Sequence, residues 1–184
     1  MRLIKASKNS DDIISELASY PNEEGKQSNI EVYDYDSGDD AIILRDKNEY
    51  PTGYGLIVIS LRMNEGVKGR NGVVFLGLSN YSKEDIGSLA KNKYFTMKKI
   101  SEIGLHESVS LAMENAIVFE KLCISIDLDV LDKAFSPDGA VGGMTTRELI
   151  YSVQRLKMMR NLRKVEICRD NQEIIAKLVK EIAC

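Results

Sequence analysis

The segment CISIDLDVLDKAFSPDGAVGG, residues 123–143, places two aspartates, Asp127 and Asp129, at the end of an apolar run. Such a short, nearly continuous apolar run is typical of a strand buried on both faces of a parallel sheet. Side chains two residues apart on a strand point to the same side, and two adjacent carboxylates repel unless a cation or a proton lies between them. Aspartates that form turns or caps are also common at strand ends, so the pair alone is weak evidence for a metal site.

Predicted strands and helices alternate along the chain. Further strands are predicted at IEVYDY (30–35), GLIVIS (55–60), VVFLGL (73–78) and KVEIC (164–168). Amphipathic patterns and capping residues predict helices over 10–20, 106–122, 145–156 and 170–182. This alternation predicts an α/β fold, a three-layer α/β/α sandwich with a mostly parallel sheet, in a single domain over residues 1–184. Functional sites of such sheets form beyond the carboxyl ends of the strands, which is where the two aspartates fall.

Composition narrows the class of partners. The net charge is −3 and 43% of the residues are hydrophobic, so we expect no nucleic-acid or membrane partner. No apolar run reaches membrane-spanning length, and the first residues lack the apolar core of a signal peptide. The three cysteines are an odd number, and Cys123 and Cys168 lie in apolar runs, which favours buried free thiols in a reducing cytoplasm.

The residues that follow the strand carry a family resemblance. SIDLDVLDKAFSPDGAVGGMTTREL, residues 125–149, resembles the second metal-binding signature of the ureohydrolases, the family of arginases, agmatinases and formimidoylglutamases. The shared elements are a strand ending Ser-x-Asp-x-Asp, a Leu-Asp pair, a Phe-x-Pro turn, a Gly-Gly pair and a Thr-Arg-Glu helix start. The resemblance to the family extends to three segments on either side of this signature, which are VVFLGL (73–78), KYFTMKKISEIGL (93–105) and KVEI (164–167). The chain is therefore expected to be a shortened, divergent member with an arginase-like fold.

The resemblance implies a centre of two Mn²⁺ ions whose bridging hydroxide attacks a guanidinium carbon and releases urea, or formamide in one branch. Asp127 and Asp129 match two of the six protein ligands of that centre. Three more belong to an Asp-x-His-x-Asp strand end, and the matching place here reads Ser60-x-Arg62-x-Asn64. All three ligand positions are therefore altered.

The sixth family ligand is an upstream histidine, and its position is also altered. One register, on SGDDA, places Asp40 there, and a second register, on AIILRDKN, places Asn48 there. The only histidine of the chain is His106, which falls at a predicted helix start far from both motifs. Four of the six ligand positions are thus changed, and the manganese that the family implies is expected to be lost or reduced.

Arg62 is the most informative of the altered residues. Its guanidinium is permanently cationic and has no lone pair to donate to a metal. We predict that Arg62 replaces the missing metal charge by forking onto Asp127 and Asp129. The alternative is an arginine that faces solvent from a loop at the strand end.

Two further features bear on substrate. The family covers its site with long loops after the Asp-x-His-x-Asp strand, but only EGVKGRNG, residues 65–72, separates Asn64 from the next strand here. Glu166 matches a substrate-binding glutamate of the family. A buried glutamate on a core strand is equally expected to pair with a nearby lysine or arginine.

Three functional hypotheses follow. The first is a protein with a degenerate binuclear site and weak or no guanidino hydrolysis, acting by binding a small guanidino ligand or another subunit. The second is a hydrolase of linear C–N bonds that uses one cation on Asp127 and Asp129, with Asp40, Asn64 and waters completing the ligands. The third is a structural subunit that assembles with an active paralogue. Family members form trimers and hexamers, so we expect a homo-oligomer.

Overall fold

The computed structural model describes residues 2–5, 32–33, 39–45, 47–137, 139–168 and 171–183. The helix predicted over 10–20 lies outside these residues. The described strands form one sheet of eight strands, all parallel, in the order β2-β1-β3-β8-β7-β4-β5-β6. The strands are β1 Arg2–Lys5, β2 Val32–Tyr33, β3 Ala41–Arg45, β4 Gly55–Ile59, β5 Val73–Leu78, β6 Lys93–Thr96, β7 Leu122–Asp127 and β8 Leu162–Cys168.

The described helices connect these strands. They are α1 Ile86–Leu89, α2 Met97–Ile103, α3 Leu105–Ala116, α4 Thr146–Leu156 and α5 Gln172–Ala183, with 3-10 turns at Glu65–Val67 and Leu128–Val130. The predicted capping box of α4 is confirmed, because Thr145 Oγ1 accepts from Glu148 N and Glu148 Oε2 accepts from Thr145 N. No helix among the described residues has the length and apolar character that crossing a membrane requires.

Helix α3 is shorter than predicted. The pattern predicted a helix to residue 122, but α3 ends at Ala116 and β7 begins at Leu122. The Asn161 side-chain amide donates to Ala116 O at 3.0 Å and to Phe119 O at 2.8 Å. These two carbonyl groups lie at the end of the helix and just beyond it, and they need a donor from outside the helix. Asn161 provides that donor from 42 to 45 residues further along the chain, so the local sequence pattern could not predict where the helix ends.

Both faces of the sheet are covered. On one face, buried residues such as Ile57, Ile124 and Val165 form a core with α3, α4 and α5. On the other face, Leu56, Val58 and Phe75 pack with short elements that follow β4 and β5, and Tyr50 and Tyr54 lie against them. This arrangement confirms the α/β sandwich. Cys123 and Cys168 are buried free thiols, as predicted.

The loop after β7 is closed by its own backbone. Leu131 and Met144 form a parallel bridge, and the Asp132 carboxylate accepts from Ala134 N at 2.9 Å and Gly142 N at 2.7 Å. Gly143 permits this closure, since a Cβ there would lie 2.6 Å from backbone atoms at the start of the loop. The closed loop fixes the exit of β7, where the two aspartates lie.

Candidate functional site

The candidate site lies at the carboxyl-terminal edge of the sheet, where β3, β4, β7 and β8 end. A cavity of about 430 Å³ opens there. The residues that line it include Lys47, Asn48, Asn64, Gly66, Asp127 and Cys168. A polar cavity therefore lies at the predicted strand ends. It is lined by Asn64, which follows β4, and by Asp127, at the end of β7, so it joins the two segments that the resemblance relates to metal binding.

Asp127 is the last residue of β7 and is 2% exposed. Its Oδ2 accepts a hydrogen bond from Asn48 Nδ2 at 2.7 Å, and its Oδ1 accepts from Asp129 N at 3.0 Å. The second bond caps the 3-10 turn Leu128–Val130. One buried carboxylate thus serves both as a turn cap and as the acceptor for an asparagine from a distant loop.

Asp129 is 1% exposed and is also held by protein donors. Its Oδ1 accepts from Leu61 N at 3.1 Å. Ser60 Oγ lies 3.1 Å from the same Oδ1 and 2.9 Å from Arg62 O, so the single hydroxyl proton has two acceptors within reach. The end of β4, where the resemblance implies metal ligands, here supplies hydrogen-bond donors.

Arg62 does not form the predicted fork. Its Nε lies 3.8 Å from Asp129 Oδ2, its side chain is 53% exposed, and within the described part of the chain it makes no ion pair with Asp127. Its backbone is held by an isolated bridge to Asn80 and by a bond from Arg62 N to Ser60 Oγ. This geometry is closer to the alternative of a solvent-facing arginine, because a single long contact in water contributes little.

The position of Asn48 is set by neighbouring loops. The Arg70 guanidinium donates to Tyr50 O at 3.0 Å and to Pro51 O at 2.8 Å. Asn64 Nδ2 donates to the Tyr50 hydroxyl at 3.1 Å. Burial raises the pKa of Tyr50 well above its ordinary value, so its hydroxyl stays protonated. These contacts hold the segment that carries Asn48 against the segment that follows β4.

Asp40 is not brought to this site. It immediately precedes β3, so it lies at the amino-terminal edge of the sheet, where its Oδ1 is 3.9 Å from Arg163 Nη1. A strand of five residues separates it from the carboxyl edge, a distance of about 16 Å. The structure thus contradicts the expectation that Asp40 completes a ligand shell. Of the two registers considered, the one on Asn48 reaches Asp127.

Glu166 is fully buried on β8 and does not line the cavity described above. Arg45, at the end of β3, places its Nε 3.4 Å from Glu166 Oε1 and its Nη1 2.7 Å from Glu49 Oε2. The pairing with a nearby arginine is therefore observed. Sequence reasoning missed Arg45 as the partner, and its place at the end of the AIILR run was the available signal.

Comparison with known proteins assigns the family. The family model described as "Arginase family" matches residues 44–171, well over half of the chain. The chain belongs to the arginase family. Among solved structures, this arginase-family chain is similar to formimidoylglutamase from Bacillus subtilis, with 17% identity and a TM-score of 0.73, over 99% of this chain and 85% of that one. It is also similar to the agmatine ureohydrolase of Thermoplasma volcanium, with 14% identity and a TM-score of 0.71, over 99% and 88% of the two chains. No curated protein sequence matches.

Arginase-family proteins generally bind two manganese ions, so the donors at this site can be tested against that requirement. Within the described residues, no group of three or more His, Cys, Asp or Glu side chains is arranged to hold a metal. Asn48 Nδ2 and Leu61 N donate to these carboxylates, and an N–H group offers no lone pair to a cation. The described residues of this family member do not fit a two-metal centre.

Proposed function

We propose that this arginase-family chain acts by binding a small polar molecule in the strand-end cavity, with weak or no hydrolysis of guanidino compounds. One observation carries the proposal. Protein hydrogen-bond donors, Asn48 Nδ2 on Asp127 and Leu61 N on Asp129, approach the two carboxylates on which manganese would rest.

The energetic argument concerns competition between these donors and a metal. A divalent cation at Asp127 and Asp129 would displace or oppose both N–H groups, and a hydrogen bond to a charged group contributes about 1.5–3 kcal/mol. Leu61 N belongs to the backbone directly after β4, so it cannot rotate away as a side chain does. Hydroxide generation at neutral pH requires a Lewis acid in the correct place. Donors fixed on one oxygen of each carboxylate therefore compete with a cation for those oxygens, which disfavours hydrolysis.

The cavity itself supports the binding part of the proposal. Its volume of about 430 Å³ falls within the range of small-molecule pockets. Asn48, Asn64 and Lys47 provide amide and ammonium groups around the Asp127 carboxylate, which suits a ligand with both donors and acceptors. A small guanidino compound is the class that the family suggests, and one of the similar structures is an agmatine ureohydrolase.

A second candidate is a hydrolase with a reduced metal site. Asp127 and Asn64 line the same cavity, so two oxygen ligands for one hard divalent ion are available there. This reading no longer includes Asp40, which lies at the other edge of the sheet. It requires Asn48 to move away from Asp127, because the amide N–H groups and the cation would compete for the same oxygen.

The test uses the full chain, freed of metal with a chelator. Isothermal titration with Mn²⁺ measures metal binding, and release of urea from agmatine and arginine measures hydrolysis, each compared with Asp127→Asn. We expect no Mn²⁺ binding tighter than about 1 mM, and urea release equal to that of Asp127→Asn. One or more equivalents of bound Mn²⁺, with urea release abolished by Asp127→Asn, would refute the proposal in favour of the hydrolase.

Ligand binding is tested separately by titrating agmatine, arginine and guanidinium into the same protein. We expect at least one of them to bind, and Asn64→Leu, which alters the cavity lining, to weaken it. Binding of none of the three would refute the guanidino class of ligand.

A further inference from the structure

Glu166 is a buried carboxylate with a guanidinium of the same chain beside it. It is 0% exposed on β8, and Arg45, at the end of β3, places its Nε 3.4 Å from Glu166 Oε1. A carboxylate that stays charged in the interior requires a cation close to it. Arg45 therefore brings to Glu166, from within the chain, the same chemical group that a guanidino ligand would bring from solution.

The head group of Arg45 lies between this carboxylate and the surface. Its side chain is 19% exposed, and its Nη1 lies 2.7 Å from Oε2 of Glu49, whose side chain is 70% exposed. One end of the guanidinium thus reaches a solvent-exposed carboxylate, while its Nε faces a buried one. A ligand that approached Glu166 from this side would meet Arg45 first.

The shape of the Arg45 head group defines which cation this position accepts. A guanidinium is planar and presents its N–H donors as a rigid fork that matches carboxylates, whereas an ammonium is a compact, strongly hydrated point charge. The space between Glu166 and Glu49 holds such a planar fork. Once that head group is removed, the position should accept a free guanidinium in preference to an ammonium ion.

The Arg45–Glu166 pair lies beside the strand-end cavity but not on its wall. Cys168, which is the register partner of Arg45 on β8, lines that cavity, and so does Lys47, two residues after Arg45. Neither Arg45 nor Glu166 lines it. A ligand in the cavity therefore meets the carboxylate of Asp127 and not that of Glu166.

We propose that Arg45 is a tethered guanidinium that occupies a guanidinium-binding position at Glu166 and closes this position to guanidino ligands from solution. A ligand in the strand-end cavity is then recognised at Asp127 without help from Glu166. The inference goes beyond the proposed function, since the contact between Arg45 and Glu166 is present whether or not the cavity binds a ligand.

The test removes the Arg45 head group and returns it as a small molecule. Arg45→Ala deletes the side chain beyond Cβ, and ethylguanidinium has the same heavy atoms as the deleted part. In an NMR titration of the full chain followed at the Glu166 amide, we expect ethylguanidinium to bind Arg45→Ala at least about tenfold more tightly than wild type. The melting temperature of Arg45→Ala should rise with the concentration of ethylguanidinium, because a ligand that binds only the folded state stabilises it.

Three controls separate the fork from its charge and from the space it fills. Ethylammonium has the charge without the fork, so it should raise the melting temperature of Arg45→Ala less than ethylguanidinium does at the same concentration. Arg45→Met keeps the space filled and should bind ethylguanidinium no more tightly than wild type. Glu166→Gln, added to Arg45→Ala, should abolish the binding because it removes the charge of the carboxylate.

Several outcomes would overturn the proposal. One is ethylguanidinium binding to Arg45→Met as tightly as to Arg45→Ala, and another is an equal effect of ethylammonium. A third is an Arg45→Ala chain that does not bind ethylguanidinium, or that folds neither with nor without it while Arg45→Met folds. Titrations of the wild-type cavity report on the proposed function, and only the response of Arg45→Ala reports on this inference, so the two ideas fail separately.

Discussion

Replacing Asn48 with leucine tests whether its amide balances the buried charge of Asp127. The Nδ2···Oδ2 distance is 2.7 Å and Asp127 is 2% exposed, so the buried carboxylate would lose a short, charge-assisted donor. Leucine has the same branched arrangement of four side-chain heavy atoms as asparagine, so the substitution leaves no cavity. We expect the free energy of unfolding to fall by about 1.5–3 kcal/mol. For a chain of this size, that corresponds to a melting temperature lower by about 3–12 °C.

Asn64→Leu is the matched control for this prediction. It makes the same chemical change at the same cavity, but the bond it removes ends on the neutral Tyr50 hydroxyl at 3.1 Å. We expect Asn64→Leu to lower the free energy of unfolding by about 0.5–1.5 kcal/mol. Both variants are compared with wild type by urea unfolding followed by far-ultraviolet circular dichroism, with the slope m required to stay constant. If Asn48→Leu costs no more than Asn64→Leu, the amide does not stabilise the charge of Asp127 and the argument for displaced metals fails.

Three other substitutions test the frame around the site. Arg45→Met should lower the free energy of unfolding, by at most about 3–5 kcal/mol, because it removes the guanidinium whose Nε lies 3.4 Å from the carboxylate of buried Glu166. A double-mutant cycle in urea should show that Arg45→Met and Glu166→Leu together cost less than the sum of the two single changes. Gly143→Ala should lower the free energy of unfolding by about 1–3 kcal/mol or more, because the new methyl group would lie 2.6 Å from backbone atoms of the loop. Gly87→Ala is the control, since Gly87 on α1 has open space around it, and this change should leave the free energy of unfolding unchanged or raise it. Backbone hydrogen bonds from the loop hold the pKa of Asp132 below its ordinary value of 3.8. The contribution of the Asp132 carboxylate to the free energy of unfolding is therefore fully present above pH 3.8, and it is lost as the pH falls through the lowered pKa. The difference in unfolding free energy between wild type and Asp132→Ala should therefore be constant from about pH 5 to 8 and shrink below about pH 4.

The parts of the fold that the sequence predicted are those governed by local pattern. Strands β4, β5, β7 and β8 were predicted because burial on both faces requires continuous apolar runs. The start of α4 was predicted because a capping box needs only Thr145 and a glutamate three residues later. The edge strand β6, with exposed Lys93 and Tyr94, has no such run and was not predicted. Strand β3 was missed although AIILR is apolar, and its pairing with β8 places Arg45 beside Glu166.

The sequence predicted the carboxylates of the site, but it did not predict the N–H groups that donate to them. The place of Asp127 and Asp129 at a carboxyl edge follows from the strand pattern and the side-chain period of two. The donor to Asp127 is 79 residues away in sequence, and its position depends on the contacts of Arg70 with the backbone of the intervening loop. No local pattern encodes such a contact. The fork predicted for Arg62 is reduced to one contact of 3.8 Å with Asp129, because the direction of its side chain depends on the path of the chain after β4.

The survival of the Asp-x-Asp motif in this family member has a structural explanation that needs no metal. Asp127 caps the turn that follows β7, and Asp129 receives Leu61 N from the end of β4, so the two carboxylates join neighbouring strand ends. Losing either acceptor would leave a buried backbone N–H without its partner, at a cost of about 1–3 kcal/mol. Selection for folding alone is therefore enough to retain both aspartates, whereas the positions of Ser60, Arg62 and Asn64 matter to a metal through their side chains. The chemistry of an arginase-family chain must accordingly be judged at the end of β4 and at Asn48, where the ligands have changed, rather than at the signature that identifies the family.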